Sequence, residues 1–180
     1  MKIDEIYKLW NHCIEELKEL SSFFSQEHLN NNFYRRLIIR NTFSIIEAYL
    51  HISRELIKHK LALNDAISKV LTTNELIILS EETAYLNNKG EVKSRRTFYS
   101  FEPHLKFTFK CMSKVFNSSE PNYSDIKYSK LIAIAKRRND ITHPKEYDKM
   151  IITKEELKDV VSALEWFFQI HGMYLQKFNM

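Results

Sequence analysis

Only two glycines, Gly90 and Gly172, and three prolines, Pro103, Pro121 and Pro144, punctuate a chain of 180 residues. That scarcity removes most of the available fold classes. Sandwiches and barrels need turn residues at short intervals, and phosphate-cradling loops need clustered glycines, so turn-rich β folds, P-loops and dinucleotide-binding folds are excluded. A helical chain remains. Its length suits one domain with one core, and 44% apolar residues, with 13% aromatic, supply the material for it.

Apolar periodicity places the helices. Ile6, Leu9, Trp10, Cys13, Ile14, Leu17 and Leu20 recur at intervals of three and four, which predicts a first helix from Ile3 to about Leu29. Asn30-Asn31-Asn32 interrupts it, because asparagine side chains compete for backbone hydrogen bonds, and a second long helix runs from about Phe33 to Leu61. Thr72 and Glu75 have capping-box spacing and predict a shorter helix ending near Asn87-Asn88-Lys89-Gly90. Residues 91–101 read as extended or irregular. Glu102-Pro103 opens a helix to about Phe116, and Ser124 as N-cap starts another to about Asp140. A second capping box, Thr153 to Glu156, starts the last helix, with Leu157, Val160, Val161, Leu164, Phe168 and Leu175 on its core face. The expected architecture is an all-α bundle of about five to six helices with two long N-terminal ones. It forms a single domain over residues 1–180, in which 1–29 extend a core of 30–180 and about 90–101 form an irregular insertion.

Charge is local rather than global. The net charge is +4, yet residues 91–138 alone carry 11 basic and 4 acidic side chains. Such a segment suits an anionic partner, nucleic acid first, while solvated helix faces give the same arithmetic. Cys13 and Cys111 lie far apart, and no basic stretch followed by an apolar one opens the chain. Both features imply a reducing cytoplasm. The uncharged run Trp166–Gln176 is shorter than the roughly 20 apolar residues a membrane span needs. No membrane partner is expected.

The most informative residues are Arg138-Asn139-Asp140-Ile141-Thr142-His143-Pro144. Leu131, Ile134, Ala135 and Arg138 share one helix face, so Arg138 is expected to project inward and Arg137 away from that face. An inward arginine needs a partner. Pro144 disfavours helical geometry at His143, so the helix is expected to fray near Ile141 or Thr142 and free the imidazole to swing toward the guanidinium. On the second helix, Arg40, Ser44, Glu47, His51 and Arg54 form a polar stripe at helical spacing, from which Glu47 is a candidate anchor for Arg138. A merely solvated stripe is equally consistent with that spacing.

This segment resembles the R-x4-H motif of the HEPN superfamily (higher eukaryotes and prokaryotes nucleotide-binding domain), and the order of elements, a long helical hairpin first and the motif helix before the last, is similar. The resemblance implies a homodimeric, metal-independent endoribonuclease with the motifs of two subunits facing each other across a two-fold axis, without cofactor. It assigns catalysis to Arg138 and His143, with Asn139 and Glu47 in support. It also implies a toxin or anti-phage role, with a cognate antitoxin or regulator protein as a further partner. Other members of the superfamily bind RNA, nucleotides or proteins without cutting, so a non-catalytic binding module is the alternative. Candidate RNA contacts are Arg137, Lys145, Arg95 and Arg96, the last two interleaved with Phe98 and Tyr99 as suits single-stranded RNA. Neither H-E-x-x-H nor Cys/His ligand spacing occurs, so no metal is expected.

Overall fold

The computed structural model describes residues 1–64, 67 and 69–178, with the Phe178 side chain left aside. Most of them are helical. In chain order the elements are α1 (Ile3–Ser22), α2 (Gln26–Leu29), α3 (Asn32–Leu63), α4 (Thr73–Ser80), β1 (Glu82–Leu86), β2 (Val92–Arg96), α5 (Phe101–Val115), α6 (Ile126–Thr142), a 3₁₀ turn (Tyr147–Met150) and α7 (Lys154–Phe178). They divide into two compact units, one made of Met1–Ile52 with Pro121–Met180 and the other of Ser53–Glu120.

In the first unit, α1, α3 and α7 meet in an aromatic cluster. Trp10 stands edge-on to Tyr49 with centroids 5.3 Å apart, and the buried His171 ring stacks on Phe167 at 5.7 Å and on Trp10 at 5.6 Å. Burial pushes the His171 pKa down to about 3, so the ring is held neutral. The buried face of α7 runs Leu157, Val160, Ala163, Phe167, His171 and Tyr174, intervals of three and four that keep one stripe inward. Val161, expected in this core, is 41% exposed and lines a surface groove with Leu17, Phe24 and Phe168.

Three boundaries depart from expectation. The first helix stops at Ser22 rather than near Leu29: the Ser21 and Ser22 hydroxyls bond back to the carbonyls of Lys18 and Glu19, both at 2.6 Å. Such local bonds compete with helix propagation, and Ser25 then caps the separate α2. The fifth predicted helix takes Asp125, not Ser124, as N-cap, its carboxylate accepting the Lys127 N–H at 2.7 Å, and ends at Thr142, where fraying ahead of Pro144 is expected.

The largest correction concerns residues 81–96. The Thr72–Glu75 capping box forms as expected, but the helix it starts ends at Ser80, because Glu81 adopts left-handed geometry (φ 56°) and reverses the chain. Strands β1 and β2 follow and pair antiparallel, with Glu82 opposite Arg96 and Leu86 opposite Val92. Asn87–Gly90 is therefore a hairpin turn rather than a helix end. The Asn87 side-chain oxygen accepts the N–H groups of Lys89 (2.9 Å) and Glu91 (3.0 Å), and Gly90 supplies φ 75°. The fold is mostly helical but carries one small sheet, and part of the expected irregular insertion is strand. In this second unit α5 packs Leu105, Phe109 and Met112 into the core, and Lys114 reaches Glu75 at 2.6 Å.

Candidate functional site

The end of α6 is held by α3. Arg40, Phe43 and Glu47 fall at i, i+3 and i+7 on α3 and so share one face. The Arg40 guanidinium donates to the Ile141 carbonyl, satisfying one of the acceptors that a helix C-terminus leaves open. The Thr142 hydroxyl donates to the Arg138 carbonyl at 2.7 Å and the His143 N–H to the Asn139 carbonyl at 3.0 Å. His143 has left helical geometry (φ −126°, ψ 64°) immediately before Pro144, as the restriction that proline imposes on its predecessor requires.

On this frame Arg138 lies over the Phe43 ring, 5.9 Å from its centroid, and its guanidinium pairs with the Glu47 carboxylate. Its second arm reaches Asn139 Oδ1 at 3.2 Å. The inward register of Arg138 is thus partial: the side chain is 27% exposed and Glu47 48%. His143 is exposed. The guanidinium is engaged by Glu47 and Asn139 rather than by His143. The site is open, with a cation held by a carboxylate that water and other anions can reach and an imidazole at the helix exit.

Arg137 is engaged within the fold. It donates Nε to Glu156 Oε1 (2.6 Å), Nη1 to the Lys149 carbonyl (2.6 Å) and Nη2 to the Ile151 carbonyl. It clamps the α6–α7 loop. Asn32 and Arg35 at the start of α3 bind the same loop, Asn32 through Met150 O and Ile152 N–H and Arg35 through Ile152 O. These long-range staples were invisible in the sequence, where Asn32 reads only as a helix breaker. Phe43 beneath Arg138 carried no signal either, since an aromatic residue on a buried helix face looks like any other core residue.

The remaining candidates are exposed. Lys145 follows the α6 exit. Arg95 and Arg96 lie on β2 in the second unit, Arg95 over the Tyr85 ring (5.8 Å) and Arg96 over Phe98 (5.6 Å) and 3.3 Å from Glu81. Alternation along the strand puts Arg95, Lys93 and Tyr85 on one face of the hairpin and Arg96 on the other. Among the described residues, no group of three or more His, Cys, Asp or Glu side chains is placed to hold a metal ion, and no helix is long and apolar enough to cross a membrane.

Comparison with known proteins adds nothing to this geometry: no family model, curated protein or solved structure matches the chain.

Proposed function

We propose that the chain is a HEPN-like, metal-independent endoribonuclease whose cleft is completed by a second copy of itself. The observation carrying this reading is the Arg138–Glu47 pair at the α6 exit, five residues ahead of the exposed His143. Exposed ion pairs contribute only about 0–1 kcal/mol, so a phosphodiester competes readily with Glu47 for the guanidinium. Arginine offers a planar fork of donors that matches phosphate oxygens and stays charged throughout.

The chemistry follows from those residue types. A 2′-hydroxyl of the RNA loses its proton to a base and attacks the adjacent phosphorus. The 5′-oxygen of the next nucleotide leaves with a proton from an acid, giving a 2′,3′-cyclic phosphate and a 5′-hydroxyl. Histidine serves either proton role near neutral pH. One chain supplies one such imidazole, so a two-fold pair of chains supplies both, while Arg138 neutralises charge building on the phosphoryl oxygens. Glu47 and Asn139 hold the guanidinium ready before substrate binds.

A fluorophore-quencher RNA incubated with the protein in excess EDTA tests the proposal. Wild type is expected to cleave it; Arg138→Ala and His143→Ala are expected to remain folded and lose at least about a hundredfold in rate, the usual size of a general acid–base contribution. Equal activity in the variants refutes the assignment. The occupied state of Arg138 favours a second reading, a non-catalytic RNA- or nucleotide-binding module on the same surface or the regulatory partner of a toxin. Salt-dependent RNA binding without cleavage selects the binding module.

A further inference from the structure

In the second unit a charged cluster lies at the base of the β-hairpin, and the cleavage reading makes no use of it. Arg54 on α3 is 5% exposed. Its Nη2 pairs with Glu81 Oε1 at 2.9 Å, but Nη1 is buried without a protein acceptor. His104 in the first turn of α5 brings Nε2 to 3.4 Å from the same carboxylate oxygen without forming a hydrogen bond, and that nitrogen is also buried and unpaired. The other oxygen of Glu81 faces Arg96, whose side chain is 64% exposed and forms the solvent side of the cluster.

A buried donor left unpaired costs about 1–3 kcal/mol, and here two side chains that each keep one buried nitrogen unpaired meet the same carboxylate oxygen. Arg54 and Arg96 share the Glu81 carboxylate, while Glu55, which also acts on Arg54, is paired with Lys58, and Glu82 lies opposite Arg96 on the exposed hairpin. We propose that Arg54, Arg96 and His104 form a phosphate-binding site, in which Glu81 holds the cations together until the anion enters past Arg96. The ligand class is a phosphate dianion, free or at the end of a nucleotide. Two arginine forks and an imidazole supply the donors its tetrahedral oxygens require.

Charge balance supports a dianion specifically. Burial foremost, with the nearby Arg54 charge, pushes the His104 pKa down to about 4 against the opposing pull of Glu81, so the ring is neutral in the empty site. A dianion beside Glu81 brings three negative charges, which Arg54, Arg96 and a protonated His104 match. Binding therefore draws a proton onto His104. Among the described residues, the charged or titratable groups recorded against that ring are Arg54 from α3, Glu81 at the end of α4 and Tyr99, whose ring centre is 5.5 Å away, with Arg96 from β2 on the other oxygen of Glu81.

The test is an NMR titration of the full chain at constant ionic strength, following the Arg54 guanidinium and His104 imidazole signals. Inorganic phosphate is expected to shift both saturably and raise the His104 pKa, while chloride at matched ionic strength does neither. Arg96→Ala, at an exposed position, is expected to weaken phosphate binding about tenfold, the loss of one charge-assisted contact. Glu81→Gln, which removes the competing carboxylate, is expected to tighten it. Adenosine 5′-monophosphate and paired RNA oligomers with 5′-phosphate or 5′-hydroxyl ends then separate free phosphate from nucleotide ends as its source. Absence of saturable shifts, equal shifts with chloride, or unchanged affinity in Arg96→Ala overturns the proposal and leaves a structural clamp. The result is independent of RNA cleavage, which is read at Arg138 and His143.

Discussion

Arg137 and Arg138 are adjacent and chemically identical, yet the fold gives them different work. Arg138 holds one exposed carboxylate and one amide, so Arg138→Ala is expected to change stability by less than about 1 kcal/mol. Arg137 donates to two loop carbonyls and Glu156, and losing these charge-assisted bonds is expected to cost about 1–3 kcal/mol in Arg137→Ala, water taking over at the exposed carbonyls. Urea unfolding of the two variants side by side checks the ordering, and a larger loss for Arg138→Ala contradicts it. The sequence made Arg138 legible through its interval from Leu131, Ile134 and Ala135. The partners of Arg137 were not legible, because two are carbonyls of the α6–α7 loop and the third, Glu156, is in the first turn of α7, and periodicity carries no information about where a loop returns its carbonyls.

At the scale of elements, capping chemistry was the most readable signal. Both boxes, Thr72–Glu75 and Thr153–Glu156, form at the predicted positions. Helix ends without such chemistry were overrun or cut short, as at Ser22 and Ser80. The hairpin was missed because Thr83–Leu86 and Val92–Arg96 are exposed throughout, leaving no apolar alternation to find. Glu156 joins cap to clamp. Burial pushes its carboxyl upward, but the Thr153 N–H, the Arg137 guanidinium and the Thr153 hydroxyl together draw it below the ordinary carboxylate range. A depressed carboxyl contributes stability that is present above that range and is lost as pH falls through the lowered value. Glu156→Gln is expected to cost about 1–3 kcal/mol at pH 7, with the gap from wild type closing only as pH falls through the depressed Glu156 value, beneath the ordinary carboxylate range, where both side chains are neutral. A gap that persists there contradicts the assignment.

Across the whole molecule, two histidines buried in different units share one consequence. His171 and His104 titrate near 3 and 4 in the folded chain, against about 6.5 when unfolded. Between those values the unfolded chain binds more protons, so stability is full above about pH 6.5 and falls as pH drops toward 4, by up to about 1.4 kcal/mol per pH unit for each group. Both tryptophans, Trp10 and Trp166, lie in the unit that holds His171. Tryptophan fluorescence in urea therefore reads that unit, and its midpoint is expected to fall between pH 6.5 and 5, before most carboxylates titrate. A flat midpoint over that window contradicts a neutral buried His171.

The chemistry proposed for the α6 exit is tested most directly by the ends of the RNA fragments. Mass spectrometry of products formed in excess EDTA is predicted to find 2′,3′-cyclic phosphate and 5′-hydroxyl termini with wild type. It is predicted to find intact RNA with Arg138→Ala, with His143→Ala, and with substrate lacking the 2′-hydroxyl at the cleaved position. Fragments ending in 3′-hydroxyl groups, or the same cyclic ends from both variants, would contradict it.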